Sequence, residues 1–413
     1  MYEKVLLWAT PVFLLLMALE CAVARLRRRS PYRLADALSS VGLGALSTYL
    51  GVFTRLVTVG IYVWVYREAR VATLDAGSPW VWATGLLLYD FLYYWNHRLG
   101  HEVNVLWAAH VVHHQSEEFN LSTALRQTGS GFLLSWLFYV PLAVLGFPPP
   151  LYLALSLIDL LYQFWIHTEQ IGTLGLFDRI FASPSNHRVH HGINDVYVDR
   201  NYGGILIIWD RLFGTFQPEL AAQPVVYGTR DPLRSWNPLW ANLHTYAALF
   251  ADAWRAGSWP DKVAVFLRRP GWRPADAAAR APKLPFRLDA FAKFAPPLPP
   301  ALGGYCLLQG FVIIGFGAHF MSVAPGWPTD AALGYLAALA ASLWIISGLA
   351  EGRREFVPLE LLRLAVLALT GLLLLPGGAG LAGGGGPLLV GACAALTLWV
   401  WRAARPLPRP ASA

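Results

Sequence analysis

Apolar residues run along this chain in blocks separated by short polar punctuation. The first block spans about 5–24 and ends in RLRRR (25–29); a second covers about 40–64 and a third about 79–96. Helical blocks of roughly 17 to 25 apolar residues are long enough to cross about 30 Å of hydrocarbon. Two further blocks, about 129–147 and 151–167, are joined only by the breaker FPPP (147–150). That join predicts a hairpin that dips in and returns, with both ends on one side. The pattern changes at residue 168. Residues 168–297 carry acidic residues, turn signals and few long apolar runs, which predicts short helices in a water-exposed region lying against the membrane. PFRLDAFAKFAPPLPP (285–300) reads as an exit linker. Four more apolar blocks follow at about 301–322, 331–350, 357–376 and 386–402, with GGAGLAGGGG (377–386) as a loop between the last two. The pattern predicts an all-α, polytopic membrane protein.

Composition agrees. Of 413 residues, 56% are hydrophobic and only 14% charged, against about 25% charged in a soluble domain. The net charge of +7 is not spread as a nucleic-acid footprint. Arginines bunch at the ends of apolar blocks, in RLRRR, EGRREF (351–356) and WRAARPLPRP (401–410). Placing Arg25 to Arg29 in the cytoplasm puts residues 97–127, residues 168–297, Arg353–Arg354 and the C-terminal arginines on the same side, as the positive-inside rule requires. Arg67 and Arg70 fall on the other side and dissent. The first block is followed, not preceded, by its positive charge, so it reads as a retained helix and not a cleaved leader. Cys21, Cys306 and Cys393 sit far apart in apolar blocks and read as packing residues. There is no G-x-x-x-x-G-K-[ST] phosphate loop.

The chemistry lies in the histidines. Nine of the eleven fall between residues 97 and 191: His97, His101, His110, His113, His114, His167, His187, His190 and His191. HRLGH is an H-x-x-x-H motif, and HVVHH and HRVHH are both H-x-x-H-H. On a helix, i and i+4 share a face and i+3 lies beside them. Three such pieces aim eight imidazoles at one volume. Neutral imidazole suits iron, zinc or copper, and the count exceeds what one ion takes, so two metals are expected. His244 and His319 stand apart and read as structural. Asp90, Tyr94, His97 and His101 step along one helix face, as do Asp159, Gln163 and His167. A carboxylate in an apolar helix is a functional candidate, and its expected job is a hydrogen bond to a ligand histidine. The candidate catalytic residues are Asp90, Glu102, Asp159 and Asn186. Asn120, Arg126, Arg188, Asn194, Asp195, Asp199 and Asn201 also surround the clusters.

The chain lacks the H-E-x-x-H of zinc hydrolases and the bridging carboxylates of four-helix di-iron proteins. A metal transporter would place ligands near the bilayer midplane, whereas these histidines sit at helix ends. Redox metal beside an apolar interior suits oxygen chemistry on an inert lipid carbon.

The stretches DFLYYWNHRLGHEVNVLWAAHVVHHQSEEFNLSTALRQ, LYQFWIHTEQIGTLG, SPSNHRVHHGINDVYVDRNYGGILIIWDRLFGTF, VVYG and RRPGWRP resemble the fatty acid hydroxylase / sterol desaturase superfamily, and within it the alkylglycerol monooxygenase branch. The resemblance is dense over about residues 80–275 and extends to the later apolar tail in layout only. It implies a membrane-bound non-haem di-iron oxygenase that uses O2. Its ligands would be His97, His101, His110, His113, His114, His187, His190 and His191, with His167 of WIHTE a ninth. The branch inserts oxygen beside an ether oxygen of an alkylglycerol, giving a fatty aldehyde and a glycerol derivative. Tetrahydrobiopterin is the implied reductant, with a redox protein as the other candidate donor. Sterol, fatty acyl and carotenoid hydroxylation or desaturation use the same kind of site and stay open. The implied domains are N-terminal transmembrane helices (1–78), a catalytic domain of helices and histidine-rich region (79–297) and C-terminal transmembrane helices (298–413). The expected partners are the membrane, a lipid substrate from the bilayer and the electron donor. A chain rich in Ala, Gly, Arg and Leu with few Lys reads as bacterial, hence an inner-membrane protein with its site on the cytoplasmic side.

Overall fold

The computed structural model describes residues 2–29, 32–374, 385–405 and 407. Residues 377–384 of the expected glycine-rich loop lie outside them. The helices, in order, are α1 (Tyr2–Leu26), α2 (Leu34–Ala69), α3 (Pro79–Glu102), α4 (Asn104–His114), α5 (Leu121–Ala124), α6 (Trp136–Leu145) and α7 (Pro149–Trp165). Short helices follow: α8 (Phe177–Ile180), α9 (Pro184–His190) and α10 (Ile208–Leu212), then α11 (Pro238–Arg255), α12 (Trp259–Leu267) and α13 (Ala275–Arg280). The chain closes with α14 (Pro300–Val323), α15 (Thr329–Ala350), α16 (Phe356–Leu374) and α17 (Gly385–Ala403). Among the described residues there is no extended strand, only the isolated bridges Phe181–Leu206 and Gly192–Tyr227. The protein is all-α.

Among the described residues, four helical segments are long and apolar enough to cross a membrane: Trp8–Leu26, Leu34–Ala69, Pro300–Gly326 and Thr329–Ala350. They make the chain an integral membrane protein. Helix α6 has 10 residues, about 15 Å of rise and half a bilayer core. Gly146 follows it at φ +98°, and a Cβ there would meet the Ala72 carbonyl oxygen at 2.0 Å. Only glycine permits this turn. Pro148 and Pro149 then start α7, so FPPP does break the chain between two short helices, but these pack on α2 and α3 and not along each other as a hairpin would.

The chain forms two compact units, residues 1–234 with 240–293, and residues 235–239 with 294–413. In the first, Tyr62 and Val65 of α2, Tyr89 of α3, Tyr139, Leu142 and Ala143 of α6 and Leu151 and Leu155 of α7 pack into one apolar core. The Tyr62 hydroxyl donates to the Phe147 carbonyl at 2.9 Å, which ties α2 to the turn between α6 and α7. This core fixes the direction of α3, whose last two turns carry His97 and His101. In the second unit, α14 follows α15 closely and α16 follows α17. Glu351 at the end of α15 accepts from the Ser235 hydroxyl and the Trp236 N–H, both at 2.6 Å.

Candidate metal centre

Four pieces of chain bring nine imidazoles together. Helix α3 supplies His97 and His101; α4 supplies His110, His113 and His114; the turn after α7 supplies His167; α9 and its C-cap supply His187, His190 and His191. Helix α4 starts one residue after α3 ends. The Asn104 N–H donates to the Arg268 carbonyl at 2.9 Å and the Asn104 side-chain amide to the Val265 carbonyl at 2.8 Å, which sets the turn between them. Helix α9 starts at Pro184, and Ser183 caps it by accepting from the Asn186 N–H at 3.4 Å. Proline at the first helical position and serine before it are ordinary helix-start chemistry.

The imidazoles divide into two groups. His97, His101, His110, His114 and His190 form one; His113, His167, His187 and His191 form the other; within each group the candidate ligand atoms all lie within 4.8 Å of one another. Each H-x-x-H-H box is shared. In α4, His110 and His114 join the first group and His113 the second. In α9, His187 and His191 join the second and His190 the first. The i, i+4 pair points one way and the i+3 residue the other, so the two boxes interlock. The groups abut: the rings of His114 and His191 stack at 4.3 Å between centroids.

Four rings are oriented by backbone carbonyls. His97 Nδ1 lies 2.8 Å from the Tyr202 carbonyl, His113 Nδ1 2.9 Å from that of Arg126, His167 Nδ1 2.7 Å from that of Gln163, and His190 Nδ1 3.0 Å from that of Arg200. A carbonyl only accepts, so each Nδ1 carries the proton and each Nε2 presents a lone pair. His113 Nε2 and His167 Nε2 then face each other 3.1 Å apart with no proton between them. Two lone pairs at that distance repel, and a cation between them removes the repulsion. His101 Nε2 is buried without a hydrogen-bond partner. Burial, with the neighbouring imidazoles adding to it, holds His110, His114, His187, His190 and His191 well below the usual imidazole range. His113 is pushed down to about 4, also by burial. Uncharged rings with converging lone pairs are a metal-ligand set, and these residues fit two ions.

The carbonyl anchors are themselves held. Arg126, fully buried, donates through Nε to the Val112 carbonyl at 3.0 Å and through a terminal nitrogen to the Ser40 hydroxyl at 3.1 Å. Asp210 accepts from the Tyr202 and Gly203 N–H groups at 2.7 and 2.8 Å and from the Thr215 hydroxyl at 2.6 Å. Asp199 and Asn201 take φ of +56° and +58°, the left-handed region that Asp and Asn tolerate best after glycine. Between them lies Arg200, whose carbonyl orients His190.

The expected carboxylate–histidine bonds are not how the rings are held. Asp90 accepts from the Ile205 and Leu206 N–H groups at 2.7 and 3.1 Å and from the Trp209 indole at 2.8 Å. It pins the loop after Tyr202 to α3. Asp159 accepts from the Gln163 amide at 2.7 Å, and the Gln163 carbonyl holds His167, so Asp159 acts one residue removed. Backbone carbonyls reach the rings first because the chain turns directly over them. Gly204 makes this possible: a Cβ there would lie 2.8 Å from both Asp159 Oδ1 and the Tyr93 ring. Asn186 caps its own helix through Ser183, and its carbonyl accepts from the Asn201 amide at 3.0 Å. Glu102 pairs with Arg98 at 3.2 Å and with Arg269 at 3.5 Å. His244 sits beside the Gln115 amide at 3.4 Å and His319 beside the Tyr335 hydroxyl at 3.2 Å; neither belongs to a histidine group. Sequence reasoning missed Asp210 and Tyr202. The signal for Asp210 was a lone acid in the apolar run ILIIWDRLF.

Comparison with known proteins agrees with this geometry. The fatty acid hydroxylase family model matches residues 82–215, the span from α3 to Thr215 that holds all nine histidines. A human alkylglycerol monooxygenase is 44% identical over 267 residues, covering 64% of this chain and 59% of the relative. An alkylglycerol monooxygenase of Xenopus tropicalis is 38% identical over 304 residues, covering 74% and 67%. An ornithine lipid hydroxylase of Rhizobium tropici is 34% identical over 137 residues, covering 32% and 40%. The chain thus spans 59% of the human relative's length. No solved structure matches it. With 67% of the frog relative matched at 38% identity, the chain belongs to the alkylglycerol monooxygenase family, within the fatty acid hydroxylases.

Proposed function

We propose that this protein is a membrane-bound, non-haem di-iron monooxygenase that cleaves the O-alkyl bond of alkylglycerols to a fatty aldehyde and a glycerol derivative. The observation that carries the reading is the interlocked pair of all-histidine groups, with Nε2 lone pairs facing inward, in a chain of this family. His97, His101, His110, His114 and His190 would hold one iron, and His113, His167, His187 and His191 the other. Two irons bound there would supply the redox chemistry that moves one atom of O2 into a C–H bond. The carbon beside an ether oxygen is weakly activated, so it is a sensible target.

The residues of the chain prepare the site. The carbonyls of Tyr202, Arg126, Gln163 and Arg200 fix four tautomers. Asp90, Asp159 and Asn186 act as positioning residues behind those carbonyls, and Glu102 tethers the end of α3 through Arg269. Trp107, tilted against His101 at 4.9 Å, and Phe119, stacked on His167 at 5.6 Å, cover the rings. Basic clusters at Arg25–Arg29 and Arg353–Arg354 support a cytoplasmic site, which in a bacterial cell is the inner face of the inner membrane. Electrons would come from tetrahydrobiopterin or a redox protein.

The test is metal analysis of the detergent-purified chain, followed by an alkylglycerol assay with and without tetrahydrobiopterin. About two irons per chain, from the two ligand groups, and aldehyde release are expected. Tight zinc that resists anaerobic iron loading would instead support a hydrolase.

A further inference from the structure

Helices α11 and α12 share an exposed apolar face. Trp240, Leu243, Phe250 and Trp254 of α11 are exposed, as are Trp259 and Val263 of α12. At about 100° per residue, the four α11 side chains fall within an arc of roughly 80°. The opposite side of the same helix is buried: Ala241, Leu249, Asp252 and Ala253. Trp254 and Trp259 are 87% and 78% exposed. A run of large aromatic side chains on one face of two adjoining helices is not a solvated surface.

We propose that α11 and α12 lie in the plane of the membrane surface, with this face embedded among the lipid headgroups and upper acyl chains. Three observations favour lipid over a second copy of the chain. The same unit contains two helices apolar enough to span the bilayer, so a lipid surface already adjoins it. The pair is fringed by cations: Lys262 lies 5.9 Å from the Trp259 ring and Arg268 5.9 Å from the Trp272 ring, and Arg269 is exposed. Of its two acids, Asp252 is occupied by Arg273 at 2.7 Å and Asp261 by the Ser258 hydroxyl at 2.7 Å. Finally, tryptophan beside Lys or Arg on an apolar helix face is the composition of an interfacial helix.

The inner face gives the arrangement its consequence. Leu249, Ala253 and Val265 pack on Ala108 of α4, and the Gln115 amide donates to the Ala241 carbonyl at 3.0 Å. Helix α4 carries His110, His113 and His114. One helix thickness, about 10 Å, therefore separates the lipid surface from the histidine groups. The inference concerns membrane contact alone and holds whatever the substrate.

The test uses full-length protein with Cys21→Ser, reconstituted in nanodiscs of phosphatidylcholine and phosphatidylglycerol. A nitroxide is placed at Trp254→Cys, at Phe250→Cys and, as an aqueous control, at Asp289→Cys. Collision with oxygen, which concentrates in lipid, is compared with collision with a water-soluble nickel chelate. The expected result is loss of nickel accessibility at 254 and 250 and full nickel accessibility at 289. Nickel accessibility at 254 and 250 equal to that at 289 overturns the proposal. So does dipolar broadening between labels on two chains, which would make this face a dimer contact. Because both replaced side chains are exposed, neither variant is expected to disturb folding.

Discussion

Two clusters of buried polar side chains are built on opposite principles. In α14 and α16, the Arg363 guanidinium donates to both oxygens of Glu360, at 2.7 Å each, and to Gln309, while the Tyr305 hydroxyl donates to Glu360. Each contact there joins a donor to an acceptor. In α3, α4, α9 and the turn after α7, Nε2 atoms lie 2.9 to 3.2 Å apart, and between His113 and His167, whose Nδ1 protons are both committed to carbonyls, acceptor faces acceptor. Burying polar groups without partners is costly. The comparison separates a polar cluster that holds helices together from one that waits for a ligand, and it does so by counting protons, not charges.

The sharpest attempt to break that distinction removes a ligand. His113→Ala or His167→Ala should strip metal and abolish turnover while the protein still inserts; undiminished metal in both variants would end the ligand assignment. Next, Glu360→Ala leaves Arg363 without its carboxylate and should cost about 3–5 kcal/mol of stability, the usual penalty for breaking a buried pair, with metal content unchanged. Thermal unfolding and metal analysis on the same sample check this, and joint loss of both would erase the contrast. Third, Asp210→Ala releases the loop that holds the Tyr202 carbonyl against His97. A fall of about 10- to 100-fold in metal affinity is expected, as for other groups that orient a ligand, and a competition titration with a chelator measures it. The smallest effect is that of acid. His113 titrates near 4 in the folded chain against an ordinary 6.5, so the folded state binds fewer protons than the unfolded one. Its contribution to the metal-free protein is complete above pH 6.5 and is lost as pH falls toward 4. Denaturant midpoints across that window should fall with pH in the wild type and less steeply in His113→Phe.

Much of this was legible in sequence because it depends on local repetition. Apolar blocks gave the helices, FPPP gave the break between α6 and α7, and the histidine boxes gave the residues that form the two imidazole groups. The division of labour within each box was not legible. Which group receives His113 or His190 depends on how α4 and α9 face each other, and nothing local encodes that. The carbonyl anchors were hidden for a different reason: a backbone oxygen has no residue type. Asp90 showed itself as an expensive carboxylate, but its partners are the N–H groups of Ile205 and Leu206, more than a hundred positions away.

The sharing of each histidine box between both groups makes occupancy a joint property. An ion held by the first group would grip α9 through His190, and one held by the second would grip α4 through His113. Either one would draw together the helices that its neighbour needs, so the crossed grip would couple loading of the two groups.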